Sequence, residues 1–148
     1  MSNGNSRVRL IVEDKEHLHL LGRFFQAMML NLLKKPGKVR IIEKTSLVVT
    51  FEPTGHPENG LTMSFARGRV ILACGLKPNA EIKITAEPMV LMMLSRVPAG
   101  VAVIPYLTTY EGRNLITRLK SGELKLKGPL KHPLKMMKFA KIMSPNIN

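Results

Sequence analysis

The sequence predicts an α+β domain in which helices pack on a sheet of short strands. Three observations carry that prediction. Residues 15–35 repeat apolar side chains with a period near 3.6, as a half-buried helix does. Residues 47–85 instead alternate apolar and polar positions, broken by Gly, Pro and Asn clusters. Residues 121–143 return to a strand pattern and end in a helical one rich in Lys and Met. The 148 residues fit one domain, and 45% apolar content is enough for a core.

Residues 1–13 read as a flexible N-terminal lead-in, within which Val8, Leu10 and Val12 alternate as a short strand would. Asp14 is a plausible N-cap for a helix from Lys15 to about Lys35, stopped by Pro36-Gly37. Its apolar stripe is Leu18, Leu21, Phe25, Met28 and Leu32, widened by Phe24 and Met29. Val39 to Glu43 is a short strand candidate. Leu47, Val49 and Phe51 alternate with Val48 and Thr50, and Pro53 to Gly60 is full of turn formers. Leu61, Met63 and Phe65 then alternate with Thr62, Ser64 and Ala66. Arg67-Gly68-Arg69 is a tight turn, and Val70 to Cys74 is a continuous apolar run, as expected of a strand covered on both faces. After a turn at 75–79, Ala80, Ile82 and Ile84 alternate with Glu81, Lys83 and Thr85. The connections look too short for crossovers, so an antiparallel meander is expected.

Thr85 or Glu87 can cap a second helix, about Pro88 to Val97, with Met89, Met92, Met93 and Leu94 inside. Residues 98–110 are apolar but interrupted by two prolines, and read as a packed irregular segment that helps wall a cavity. A third helix is expected from Glu111 to Leu119, carrying Leu115, Ile116 and Leu119. In Glu123 to Lys127 the two leucines point one way and the charges the other, as on a half-buried edge strand. Gly128-Pro129 and Pro133 end it. In the helix that follows, Met136, Met137, Phe139, Ala140 and Met143 share one face, opposite a stripe of Lys131, Lys135 and Lys138 with Lys141 at its margin. Residues 14–143 thus read as the single domain and 144–148 as a short tail.

The net charge of +13 is concentrated: residues 113–148 carry nine basic side chains against Glu123 alone. Such a field attracts nucleic acid or an anionic membrane surface. Single-strand binders stack bases on aromatic platforms. Here there is no Trp, and Tyr106 and Tyr110 lie outside the Lys-rich tail, which argues against nucleic acid. Catalytic signatures are absent from the sequence. His17 and His19 are two apart, His56 lies in a Pro/Gly loop and His132 beside a proline, and Cys74 reads as a small buried hydrophobe. No enzyme activity, metal or cofactor is therefore expected. One cysteine cannot form an internal disulfide, and no secretory signal or apolar run of membrane-spanning length is visible, which points to a cytoplasmic setting.

The distinguishing feature is Met and Phe at inward positions on elements that would face one another. They are Phe24, Phe25, Met28, Met63, Phe65, Met89, Met92, Met93, Met136, Phe139 and Met143. Singly, each is an ordinary core residue. Together they suit the deformable lining of a large apolar cavity.

SGELKLKG followed by an apolar-basic helix resembles the closing strand and helix of the sterol-carrier-protein type-2 (SCP2-like) lipid-binding family, with its Ser-Gly-Lys-Leu-Lys-Ile-Lys-Gly motif. AEIKITAEPMVLMML is similar to the family's strand and Leu-rich helix, and the resemblance runs from about Leu47 to Met143. Glu87-Pro88 replaces the family's acidic pair, and residues 98–110 are longer and more apolar than its usual link. The resemblance implies a five-stranded, largely antiparallel sheet with helices on one face. It also implies a hydrophobic tunnel for a sterol, fatty acid, acyl-CoA or phospholipid, with no intrinsic catalysis, metal or cofactor.

On that reading the ligand-binding set adds Ile104, Leu115, Leu119 and Ala140 to the eleven Met and Phe residues. Lys131, Lys135, Lys138 and Lys141 would dock on an anionic membrane. The family also occurs as a module of larger enzymes, so a lipid-metabolising enzyme is an expected partner. Two alternatives stay open: a basic interaction or accessory module without ligand, and a cryptic enzyme on a lipid-like substrate using Tyr106 or His132.

Overall fold

The computed structural model describes residues 8–96, 103–128 and 131–145, with backbone only for Lys15, Val103 and Ile104. In chain order the elements are β1 (Arg9–Val12), α1 (Leu20–Leu32), α2 (Pro36–Glu43), β2 (Ser46–Pro53), β3 (Leu61–Ala66), β4 (Arg69–Cys74), β5 (Ile82–Ala86), α3 (Pro88–Met93), α4 (Val103–Tyr106), α5 (Tyr110–Ser121), β6 (Lys125–Lys127) and α6 (Pro133–Met143). The strands form one six-stranded sheet in the order β1-β4-β3-β2-β5-β6.

The period-two pattern places its residues as read. Val49 faces Met63, Leu47 faces Phe65 and Leu72 faces Met63 across antiparallel ladders, and all five are buried on one face. α1 and α6 cover that face. Phe25 of α1 stacks on Phe51 of β2 with ring centroids 4.4 Å apart, and Phe139 of α6 lies 6.1 Å from Phe51 and 6.4 Å from Phe65.

Four expectations are corrected. The sheet has six strands, not five: the resemblance began at Leu47 and so omitted β1. Residues 9–12 are therefore no flexible lead-in but a parallel partner of β4, with Val8 buried beside them. The sheet is mixed, because β5 pairs with β2 in parallel instead of extending the β2-β3-β4 meander. The connection 75–81 does make that crossover. It runs over the outer face, where Thr62 Oγ1 donates to Gly75 O (2.8 Å) and accepts from Lys77 N (3.0 Å), and Thr62 is buried there. Third, α1 starts at Leu20, after a 3-10 turn at Lys15–His17. Asp14 does not cap it but sits in the left-handed turn after β1 at φ +51°, which Asp tolerates. The buried stripe is Leu21, Phe25, Met29 and Leu32, so Met29 takes the place expected of Met28. Fourth, residues 39–43 are helical. Pro36 opens α2 at its first position, where the missing N–H costs nothing, instead of stopping the helix before it.

Candidate functional site

Between the sheet and the last helices lies a cavity of about 290 Å³. Its floor is Phe51 of β2, Ile84 of β5 and Leu126 of β6, with Phe25 of α1 beside Phe51. Leu115, Ile116 and Leu119 of α5 form one wall, extended by Leu94, Leu107 and Leu124 from connecting segments. Met136, Phe139, Ala140 and Met143 of α6 form the roof. Every lining side chain is apolar, so the cavity offers no hydrogen bond to water or to a polar ligand.

Local sequence chemistry holds both helical walls. Thr109 caps α5, its Oγ1 accepting from Gly112 N (3.1 Å), and Gly122 ends the helix in the left-handed conformation at φ +85°. Gly112 lets α5 meet the end of α4, because a Cβ there would lie 2.1 Å from Tyr106 O. α6 is pinned near both ends. At its C-terminus the fully buried Lys38 of α2 donates to Lys141 O, to Ser144 O (2.6 Å) and to Ser144 Oγ (3.4 Å). A cation there satisfies last-turn carbonyls and suits the helix dipole. Burial, with Lys35 nearby, pushes the Lys38 ammonium down to about 8. Near the N-terminus Lys135 pairs with Glu81, which also accepts from Val48 N (3.1 Å). Burial alone would raise the Glu81 pKa, but the bonds from Lys135 and Val48 outweigh it and hold the carboxyl below its ordinary value.

The residues expected to bind ligand fall into three groups. Phe25, Leu115, Leu119, Met136, Phe139, Ala140 and Met143 line the cavity. Phe24, Met89, Met92 and Met93 instead line a separate groove of about 500 Å³ beside Tyr110 and Asn114. Met89, expected inside, is 71% exposed, and Val90 and Leu91 take the inward positions of α3. Met63, Phe65 and Met28 line neither space. Met63 and Phe65 belong to the filled core under the sheet face, and Met28 packs against that core half-buried. The side chain of Ile104 lies outside the described residues. On α6, Met137 is exposed and Ile142 is buried in its place. Ser144, expected in the short tail, is fully buried under Lys38, and residues 146–148 of that tail lie outside the described residues. Seven lining residues were not in the expected set. Phe51, Ile84, Leu124 and Leu126 carried a signal, the period-two pattern; Ile116 and Leu94 sat on expected helices, and Leu107 lies in the 98–110 segment read as walling a cavity, with no period to single it out.

Of the basic stripe, Lys131, Lys138 and Lys141 are exposed, whereas Lys135 is occupied by Glu81. His17 and His19 are exposed, His56 pairs with Glu58 (3.1 Å), and Cys74 is half-buried instead of fully buried. Tyr106 Oη is buried without a hydrogen-bond partner among the described residues, and burial, then Glu111, raises its pKa against the opposing pull of Arg96. Among the described residues no three His, Cys, Asp or Glu side chains gather as a metal site, and no helix is long and apolar enough to cross a membrane.

No family model and no curated protein matches the chain. Solved structures do. A structure titled "UbiJ-SCP2 Ubiquinone synthesis protein" matches at 17% identity with a TM-score of 0.54, covering 88% of this chain and 92% of its own. "Sterol Carrier Protein 2 from Yarrowia Lipolytica (apo form)" matches at 15% identity with a TM-score of 0.49, covering 90% and 97%. The mixed sheet, the helices on its inner face and the likeness to the first of these structures agree, and the chain folds as an SCP2-like domain.

Proposed function

We propose that the protein is a non-catalytic carrier that holds one apolar chain in the cavity under α6. The observation that supports this most is a lining of side chains that are all apolar, drawn from six elements and three connections. Apolar cavities of roughly half this volume stay dry and take up small hydrocarbons. A bound chain gains about 0.8 kcal/mol for each buried CH₂. The cavity suits an acyl or isoprenoid chain, and the SCP2-like fold supports a lipid as the occupant.

In this reading Lys131, Lys138 and Lys141, without Lys135 that Glu81 neutralises, bring the carrier to anionic membranes where chains are exchanged. A lipid-metabolising enzyme would be the natural recipient. Native mass spectrometry of the purified protein tests the occupant. Adducts released by organic extraction are expected, together with saturable uptake of a long-chain probe by the extracted protein. Uptake of no chain of any length would exclude a carrier and leave an interaction module.

A further inference from the structure

The two edges of the sheet differ in their protection. β6 is three residues long, and its exposed Lys125 and Lys127 discourage pairing with another strand. β1 carries neither Lys nor Pro, and its Leu10, Ile11 and Val12 are apolar. It stands beyond the five strands that the resemblance implies, at the edge away from the β5 and β6 floor of the cavity. Only half of its backbone is used. Arg9 N–H donates to Gly68 O (2.9 Å), and the N–H of Glu13, just past the strand, donates to Leu72 O (2.8 Å). Strand alternation therefore turns the N–H and C=O of Leu10 and Val12 to the open edge, where no strand among the described residues pairs with β1. Beside that edge Leu10, Ile11, Val12, Gln26 and Leu30 line an open groove of about 500 Å³, with Ile11 39% and Leu30 52% exposed. Arg9 and Glu13 are exposed at its ends, and among the described residues neither makes an ion pair. Arg9 instead stands directly beside another cation, the exposed Arg69, in the parallel ladder.

We propose that β1 is the contact of a two-fold homodimer, in which it pairs antiparallel with β1 of a second copy about Ile11. Charge complementarity selects this partner and this register. Arg9 and Glu13 lie two residues to either side of Ile11, so with Ile11 opposite the partner's Ile11 each Arg9 stands opposite the partner's Glu13. In the same register Leu10 stands opposite the partner's Val12. These are the residues whose N–H and C=O face the edge, so each such pair exchanges both hydrogen bonds. Slipping the pair by two residues sets Arg9 opposite the partner's Ile11 or Lys15 instead. The net charge of +13 works against self-association, but its densest part, residues 113–148, holds the opposite edge strand. The proposal goes beyond the carrier reading and does not depend on it.

The test is sedimentation equilibrium of the full chain over a concentration series, for the parent, Arg9→Glu, Glu13→Arg and an equimolar mixture of the two variants. Both side chains are exposed, so the substitutions leave the fold of each copy intact. The parent is expected to fit a reversible monomer–dimer equilibrium. Each variant alone sets like charges opposite each other at both ends of the contact and is expected to dimerise at least about tenfold more weakly. In the mixture every Glu meets an Arg across the contact, and dimerisation is expected to return to the parental strength. A parent that stays monomeric at millimolar concentration overturns the proposal and leaves the edge to a strand of another protein. A dimer that either single variant keeps at parental strength overturns it by placing the contact elsewhere. A mixture that dimerises as weakly as its components overturns the register.

Discussion

Ala140 lines the roof of the cavity, so Ala140→Phe should fill the cavity from within. Burying a phenylalanine side chain is worth about 1.5–3 kcal/mol relative to leaving it in water. Exchanging Ala for Phe inside a helix costs about 0.5 kcal/mol of that. The ligand-free variant should therefore be more stable than the parent by about 1–2.5 kcal/mol. The same ring takes space from the ligand. Displacing three or four methylenes at about 0.8 kcal/mol each weakens binding by about 3 kcal/mol, roughly a hundredfold. Urea unfolding of lipid-extracted protein reads the first effect, and displacement of a fluorescent long-chain probe reads the second. The opposite signs are diagnostic, because a filled core cannot produce them. A variant destabilised by the 1–3 kcal/mol typical of overpacking, with probe affinity unchanged, would refute the reasoning.

Other positions test the framework of the site. Lys38→Met leaves the Lys141 and Ser144 carbonyls without their donor and should cost about 1–3 kcal/mol by urea unfolding. In the parent, the Lys38 pKa of about 8 lies below its unfolded value of 10.5, so the unfolded chain binds more protons between those values. Stability from this group should therefore rise with pH from about 8 towards about 10, and the rise should disappear in Lys38→Met. Gly128→Ala should lose about 2 kcal/mol or more, because it adds a clash with Glu81 O to a left-handed backbone. Gly122→Ala, equally left-handed but with open space around its Cβ, should lose only about 1 kcal/mol in the same assay. Glu in place of Lys131, Lys138 and Lys141 together should weaken co-sedimentation with anionic vesicles, and added salt should do the same to the parent; no change in either would assign the stripe to solvation.

The parts legible in the sequence were those whose physics is local. Leu47, Val49 and Phe51 and their partners Phe65, Met63 and Leu61 alternate because one sheet face is buried, and a short loop sets their pairing. The place of β5 was not legible. Ile82 and Ile84 alternate identically whether they lie beside β4 or, as observed, in parallel beside β2. Only the long-range contacts of residues 75–81 across Thr62 decide it. Val39, Ile41 and Ile42 favour strands by propensity, yet Pro36 nucleates a helix there and the α2–α6 packing keeps it. That misreading hid Lys38, whose burial depends on carbonyls more than a hundred residues away. Half the cavity lining was visible as apolar faces on α5 and α6. Of the remainder, Phe25 was read as lining, and Leu94, Leu124 and Leu126 only as facing inward; Phe51 and Ile84 look like any core strand residue, and Leu107 comes from a segment with no period. Met-rich composition was a weaker guide, since the methionines divide among cavity, core and a separate groove.

The central claim is that the space under α6 is filled by an apolar chain, and a chain-length series tests it most directly. Dissociation constants of the lipid-extracted protein would be measured for straight-chain ligands of one headgroup and increasing length. Each added methylene should tighten binding about fourfold, the equivalent of about 0.8 kcal/mol, until the cavity of about 290 Å³ is full, and further methylenes should add little. An affinity that is independent of length, or no saturable binding at any length, would contradict it.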